Sequence, residues 1–216
     1  EAARKIYEGA TDPRTKKKLW PSILPGTELR WAQLAGPRPL AFATDWFKFF
    51  VYRDPNWDWN TRPVNFDKDV ALSDTPINLN VNGVNPDLRK FVARGGKLLM
   101  YEGYADPTIP PGFAIDYYKS AAAKVGAKNS KDSLRLYMVP GMDHCPGDGN
   151  GVNRLDMLNV LNQWLETKKA PNEIVAPRVE EGKTVFTRPL CPYPQTAAYK
   201  GTGSTTDAAS FVCKAE

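Results

Sequence analysis

Histidine is nearly absent from this chain: His144 is the single one among 216 residues, and cysteine occurs only as Cys145, Cys191 and Cys213. That scarcity excludes a site of several histidines and a zinc site with finger-like Cys/His spacing, so any metal would have to be held by carboxylates. No apolar run approaches the roughly 18 residues that cross a bilayer, and no membrane partner is expected. No G-x-S-x-G turn surrounds any of the serines, so the chain offers no nucleophile elbow. No N-x-[ST] acceptor is present, which leans towards a bacterial source. The first residue is Glu1, and no basic start followed by an apolar stretch is seen. The chain is therefore expected either to have lost a leader or to begin inside a longer protein.

What is present suits a folded domain. Hydrophobic residues make up 42%, charged residues 25% and aromatics 11%, a balance that excludes wholesale disorder and coiled-coil composition. The formal charge of +5 comes from 29 basic residues spread among 24 acidic ones, with one tight cluster at Arg14 and Lys16 to Lys18. Without a basic stripe or a recognition motif, no nucleic-acid partner is expected.

The first third is irregular and aromatic, with one helix expected over Ala41 to Tyr52 because Phe42, Trp46, Phe49 and Phe50 recur at three and four residues. From about Asn80 the pattern alternates between helix and strand signals, as in an α/β domain with a largely parallel sheet. Asn85 as N-cap and Pro86 at the first helical position open a helix that Gly95-Gly96 stops. A strand is expected over Lys97 to Tyr101, a proline-rich loop over Tyr104 to Pro111, and a helix over Gly112 to Val125. Leu134 to Val139 reads as a second strand and Pro140 to Gly151 as a loop with four glycines. Asn153 to Thr167 follows as an amphipathic helix with Leu155, Leu158, Leu161, Trp164 and Leu165 on its apolar face. Beyond Pro171 a wrapping tail with short strands is expected, in which Cys191 and Cys213 could close a loop and leave Cys145 without a partner in this chain.

Two loops follow strands at their carboxyl ends, where open α/β sheets place catalytic groups. One carries Asp106 and the other His144, 38 residues later, about the length of one strand-helix-strand crossover. Neighbouring strands would bring the two side chains together. An acid followed by a histidine is also the order in which an α/β-hydrolase supplies these groups after its nucleophile. In such a pair the imidazole takes a proton from a serine hydroxyl and returns it to the leaving group, while the carboxylate fixes the tautomer and stabilises the imidazolium. A structural hydrogen bond between His144 and Asp106 is the competing reading.

The stretches Gly95-Gly96-Lys97-Leu98-Leu99, Gly103-Tyr104-Ala105-Asp106-Pro107, Ile115-Asp116-Tyr117-Tyr118 and Val139-Pro140-Gly141-Met142-Asp143-His144-Cys145 resemble the tannase and feruloyl esterase family. The tail Arg188-Pro189-Leu190-Cys191-Pro192-Tyr193-Pro194 is similar to that family's ending. The resemblance implies an α/β-hydrolase domain with an inserted lid, of which residues 1–74 would be the C-terminal end of the lid and 75–216 the C-terminal part of the catalytic domain. It implies Asp106 and His144 as triad acid and base, with the serine in a missing N-terminal half or partner chain. It also implies a disulfide from Cys145 to a cysteine beside that serine, tying the two catalytic loops together.

The family's lid carries a calcium site built from an acidic loop. No stretch here matches it, so no cofactor or metal ligand is assigned to this chain, and calcium is left to the part of the lid outside it. Trp31, Trp46 and Phe49 are the candidates for an aromatic wall against a substrate ring, and Ile109 for the acyl pocket. The expected substrates are small aromatic or phenolic esters, and the disulfides imply a secreted or periplasmic protein. A non-catalytic module that binds aromatic ligands on a hydrolase scaffold is the alternative.

Overall fold

The structure is a computed structural model and describes residues 1–34 and 36–215. They form two compact units, one of Glu1–Ser22 with Glu28–Asn85, the other of Ile23–Thr27 with the chain from Pro86 onward.

The first unit is built from short helices: α1 (Ala2–Glu8), a 3₁₀ turn (Glu28–Gln33), α2 (Ala41–Asp45), α3 (Phe66–Ser73) and α4 (Pro76–Leu79). The helix expected from Ala41 does run to the end of the aromatic stretch, but from Trp46 to Val51 it is a π-helix. The Tyr52 N–H reaches the Phe47 carbonyl at 2.8 Å, five residues back. A five-residue step defeats a stripe spaced for an α-helix. Within the π-helix Phe49 and Phe50 are exposed, as is Phe42 in the preceding α2, whereas Phe47 turns towards Tyr52 and Trp57, with ring centroids 5.8 and 6.1 Å away. Buried Asp69 accepts from the Tyr52 hydroxyl at 2.5 Å and from the Asn65 N–H at 2.6 Å.

In the second unit, helices and strands alternate: α5 (Arg89–Ala93), β1 (Leu98–Gly103), α6 (Gly112–Val125), α7 (Ala127–Ser133), β2 (Leu134–Val139) and α8 (Met157–Thr167). The tail adds β3 (Ile174–Glu180), β4 (Lys183–Leu190), β5 (Gln195–Tyr199) and β6 (Phe211–Ala215). The α/β class is as expected, and β2 and α6 have the expected bounds. Two helices start later than their sequence signals. At α5, the Leu88 N–H turns back onto the Pro86 carbonyl and Asp87 grips the Arg89 guanidinium, so helix begins only at Arg89. At α8, Asn153 is held by β3 through both backbone groups of Val179, and Asp156 caps the helix instead. The buried face of α8 runs through Trp164, with Met157 and Val160 packed on the core, while Leu158 and Leu165 face outward.

β1 and β2 pair in parallel, Leu98 opposite Leu134 and Gly103 opposite Val139. Every residue of β2 is buried, as a strand covered on both faces must be. Leu134 packs with Ala121 and Val125 of α6, while Tyr137 and Val139 pack with Met142, Val152, Ile174, Ala176 and Leu190. Pro192 and Tyr193 close the far edge of β2, the Tyr193 N–H donating to the Leu136 carbonyl at 2.8 Å. β3 with β4 and β5 with β6 form antiparallel pairs, and a Cys191–Cys213 disulfide ties the end of β4 to β6.

Candidate active site

The parallel register ends β1 and β2 at the same level, so their outgoing loops rise side by side. The Tyr104 N–H donates to the Val139 carbonyl and the Ala105 N–H to the Met142 carbonyl, both at 3.0 Å. Gly103 permits this approach, since a methyl group there would collide with the carbonyl oxygens of Met142 and Asp143. Gly149, in the left-handed region at φ 81°, lets the His144 loop double back as Met142 bridges to it.

From these loops Asp106 and His144 meet. The imidazole Nδ1 lies 2.7 Å from Asp106 Oδ2. Asp106 is wholly buried, and its other oxygen accepts the Thr108 N–H at 2.6 Å and the Ile109 N–H at 3.0 Å. An aspartate whose side chain bonds the backbone two and three residues on, with Pro107 fixing the next φ, makes a rigid turn. The carboxylate thus has a full set of donors, which a buried charge requires. The His144 side chain is half exposed, and its backbone N–H donates to Asp143 Oδ1 at 2.7 Å. With Nδ1–H given to Asp106, Nε2 presents its lone pair outward, poised to accept a proton. The hydrogen bond to Asp106 raises the His144 pKa above 6.5, opposed by partial burial and reinforced by the charges of Asp106, Glu102 and Asp143.

Two further residues of the site carry no sequence signal of their own. Glu102, at the end of β1, is pushed up to about 7 by burial and then by the Asp106 charge, while the Gly103 N–H and His144 pull it down. Arg178 of β3 donates to the carbonyls of Gly149 and Gly151, each at 2.9 Å, and pairs with Glu180 at 2.7 Å. It lies 27 residues past Gly151 in the chain, and only the fold brings it to this loop.

Of the other candidates, Ile109 stands beside the pair through its N–H and is partly exposed. Trp31, Trp46 and Phe49 belong to the first unit. There Trp31 meets Tyr7 edge-on at 5.1 Å, Trp46 stacks on Phe50 at 4.8 Å, and the Lys48 ammonium lies 5.6 Å from the Phe49 ring centre. Cys145 is exposed next to His144 and is unbonded within this chain, and Cys191 is bonded to Cys213. Among the described residues no three His, Cys, Asp or Glu side chains form a group that could hold a metal ion. Nor is any helix among them long and apolar enough to cross a membrane.

Fold and site together define an α/β protein with a hydrogen-bonded aspartate–histidine pair on adjacent loops at the carboxyl end of a parallel strand pair. The sequence matches the family described as tannase and feruloyl esterase over residues 6–214, and the chain belongs to that family. It is 32% identical to an uncharacterized esterase of Xanthomonas campestris pv. campestris, over 96% of this chain and 44% of that protein. It is 44% identical to a mono(2-hydroxyethyl) terephthalate hydrolase of Piscinibacter sakaiensis, over 60% of this chain and 21% of that one. The crystal structure of an esterase from Aspergillus oryzae superposes with a TM-score of 0.87 at 27% identity, over 98% of this chain and 45% of the other. The chain thus spans less than half the length of the relatives it matches.

Proposed function

We propose that this chain is the acid-and-base part of a serine carboxylic ester hydrolase for small aromatic or phenolic esters. The observation that carries the reading is the 2.7 Å contact between His144 Nδ1 and the buried Asp106 carboxylate. His144 Nε2 takes the proton of a serine hydroxyl as that oxygen attacks the ester carbonyl, and returns it to the departing alcohol. Water then repeats the cycle on the acyl-enzyme, with Asp106 holding the imidazole in one tautomer and offsetting its charge.

The serine is assigned to a segment or partner outside these 216 residues. In support, β1 has one hydrogen-bonded neighbour among the described residues, and two parallel strands alone are a meagre sheet. Cys145 is assigned a disulfide to a cysteine beside that serine, and its exposure next to His144 supports this. Such a bridge limits relative drift of the two loops, where misplacement of about 1 Å costs roughly a hundredfold in rate. Residues 1–74 are read as the C-terminal end of a lid, with Trp31, Trp46 and Phe49 as its candidates for contact with an aromatic ring, and residues 75–216 as the C-terminal part of the catalytic domain, with Ile109 as its candidate for the acyl pocket. The Cys191–Cys213 disulfide favours an oxidising compartment, outside the cell or in the periplasm.

The test is intact mass, with and without reductant, after treatment with a serine-reactive fluorophosphonate. A segment or chain beyond these residues that alone gains the label, and is joined through Cys145, is the expected result. A single unlabelled species of this chain would overturn the reading in favour of a binding module. A freely alkylatable Cys145 in the native protein would remove the bridge.

A further inference from the structure

The loop that carries His144 is a narrow hairpin held largely by backbone. Its tip, Cys145-Pro146-Gly147-Asp148, closes through the Asp148 N–H on the Cys145 carbonyl at 3.1 Å, with Pro146 and positive-φ Gly147 at the central positions as in a type II turn. The two limbs meet where the Asp143 N–H donates to the Asp148 carbonyl at 3.2 Å and the Gly151 N–H to the Gly141 carbonyl at 2.8 Å. They approach through Gly141, Gly149 and Gly151, where an added Cβ would collide with the facing backbone. No side chains interlock there, and glycine backbone costs the most entropy to order. The outgoing limb is pinned to β1 by the Ala105 N–H on the Met142 carbonyl. The returning limb is pinned by Arg178, through the carbonyls of Gly149 and Gly151.

Arg178 is itself fixed at its root. The Pro177 carbonyl accepts the N–H groups of Asn153 and Arg154 at 3.1 and 3.3 Å, and Val179 exchanges two hydrogen bonds with the Asn153 side chain at 2.8 and 2.9 Å. Between Arg178 and Val179 the register of β3 against β4 shifts, an irregularity of the kind that re-aims a side chain near a site. The Arg178 side chain is only 17% exposed. Glu180 takes its Nε at 2.7 Å, and Nη1 donates to both glycine carbonyls at 2.9 Å. We propose that Arg178 is a positioning residue for ester hydrolysis: by gripping the returning limb of the hairpin it holds the outgoing limb, and with it the His144 imidazole, against Asp106. Nε2 must face first the serine hydroxyl and then the departing alcohol, and a displacement of about 1 Å costs roughly a hundredfold in rate. The planar fork of arginine sets the directions of its donors, which an ammonium group in its place would not. The effect on rate rests on the esterase reading, whereas the hold on the imidazole does not.

The experiment compares Arg178→Met and Arg178→Lys with the unaltered complete protein, each at a temperature where circular dichroism shows it folded. One readout is steady-state hydrolysis of a phenolic ester. The other needs no ester: the Nδ1–H proton resonance of His144 in protein labelled with ¹⁵N-histidine, assigned by its loss in His144→Gln. Arg178→Met is expected to lower kcat by about 10–100-fold with KM held within about twofold. It should also broaden or remove the Nδ1–H signal, as the imidazole leaves Asp106 and its proton exchanges with water. Arg178→Lys keeps the charge but loses the fork, and should fall between the two in both readouts. A folded Arg178→Met with the Nδ1–H signal of the unaltered protein overturns the proposal whatever its rate, as does an unchanged kcat in an active enzyme. Should Arg178→Met not fold, Arg178→Lys decides by the same signal, and an unaltered one overturns the proposal. An unaltered protein that hydrolyses no ester removes the esterase reading and leaves the signal to decide this one.

Discussion

The placement of Asp106 was legible in the sequence because it is local: a strand ends, a carboxylate follows, and Pro107 stiffens the turn that points it back. His144 was legible for the same reason on the neighbouring loop. Replacing Asp106 by Asn keeps the shape and lets the imidazole settle in the wrong tautomer. In the assembled enzyme, ester hydrolysis should fall by about 10⁴-fold with the thermal midpoint of unfolding little changed. His144→Ala should abolish hydrolysis without unfolding the protein, as measured by circular dichroism alongside turnover of a phenolic ester; an unchanged rate would remove His144 from the mechanism. Since the Asp106 hydrogen bond raises the His144 pKa, the acid limb of the kcat/KM profile should have its midpoint above 6.5. Glu102 escaped sequence reading because its raised pKa comes from burial and from the neighbouring Asp106 charge, which no spacing reveals.

At the level of elements, β2 and α6 were readable to the residue because pattern and boundary agree: a largely apolar run, broken only by Arg135, between Ser133 and Pro140, and a helix that opens after Pro110-Pro111 and stops at Gly126. α5 and α8 were readable in kind but not at their starts, where Asp87 and Asn153 bond outside the helix that they were expected to open. The π-turn at Trp46–Val51 was unreadable, and with it the direction of the aromatic rings. The close crossing of the two site loops gives a sharp expectation: Gly103→Ala forces the His144 loop away from β1. Both stability and activity should drop, by about 2–4 kcal/mol in urea unfolding for the former. Arg178→Met leaves the carbonyls of Gly149 and Gly151 without their shared donor, and should cost about 1–3 kcal/mol in the same measurement. The Cys191–Cys213 bridge closes a 22-residue separation, so its reduction should cost about 3 kcal/mol, read as a lower unfolding midpoint under reductant.

For the molecule as a whole, two groups of the site pull stability in one direction. The native Glu102 carboxyl titrates at about 7 instead of 4.5, so between those values the folded state holds a proton that the unfolded chain has released, and stability falls as the pH rises. The His144 pKa is also raised on folding, so its contribution is complete below 6.5 and lost as the pH climbs through the folded value. Denaturant midpoints should therefore decline from about pH 5 to above neutrality, and Glu102→Gln should flatten the lower part of that decline. The amino-acid sequence by itself determined the α/β alternation, the two loops that carry Asp106 and His144, the tail of short strands and the want of a nucleophile elbow. These follow from periodicity, proline and glycine punctuation and the mere presence or absence of residues, all of which act within a few positions along the chain. The tertiary structure alone decided that Asp106 is buried and bonded through both oxygens, that burial and the Asp106 charge raise the Glu102 pKa, that Arg178 braces the histidine loop and that Phe42, Phe49 and Phe50 turn outward. Each of those depends on groups far apart in sequence or on a helix leaving its ordinary period, and burial and hydrogen-bond geometry exist only once the chain has folded.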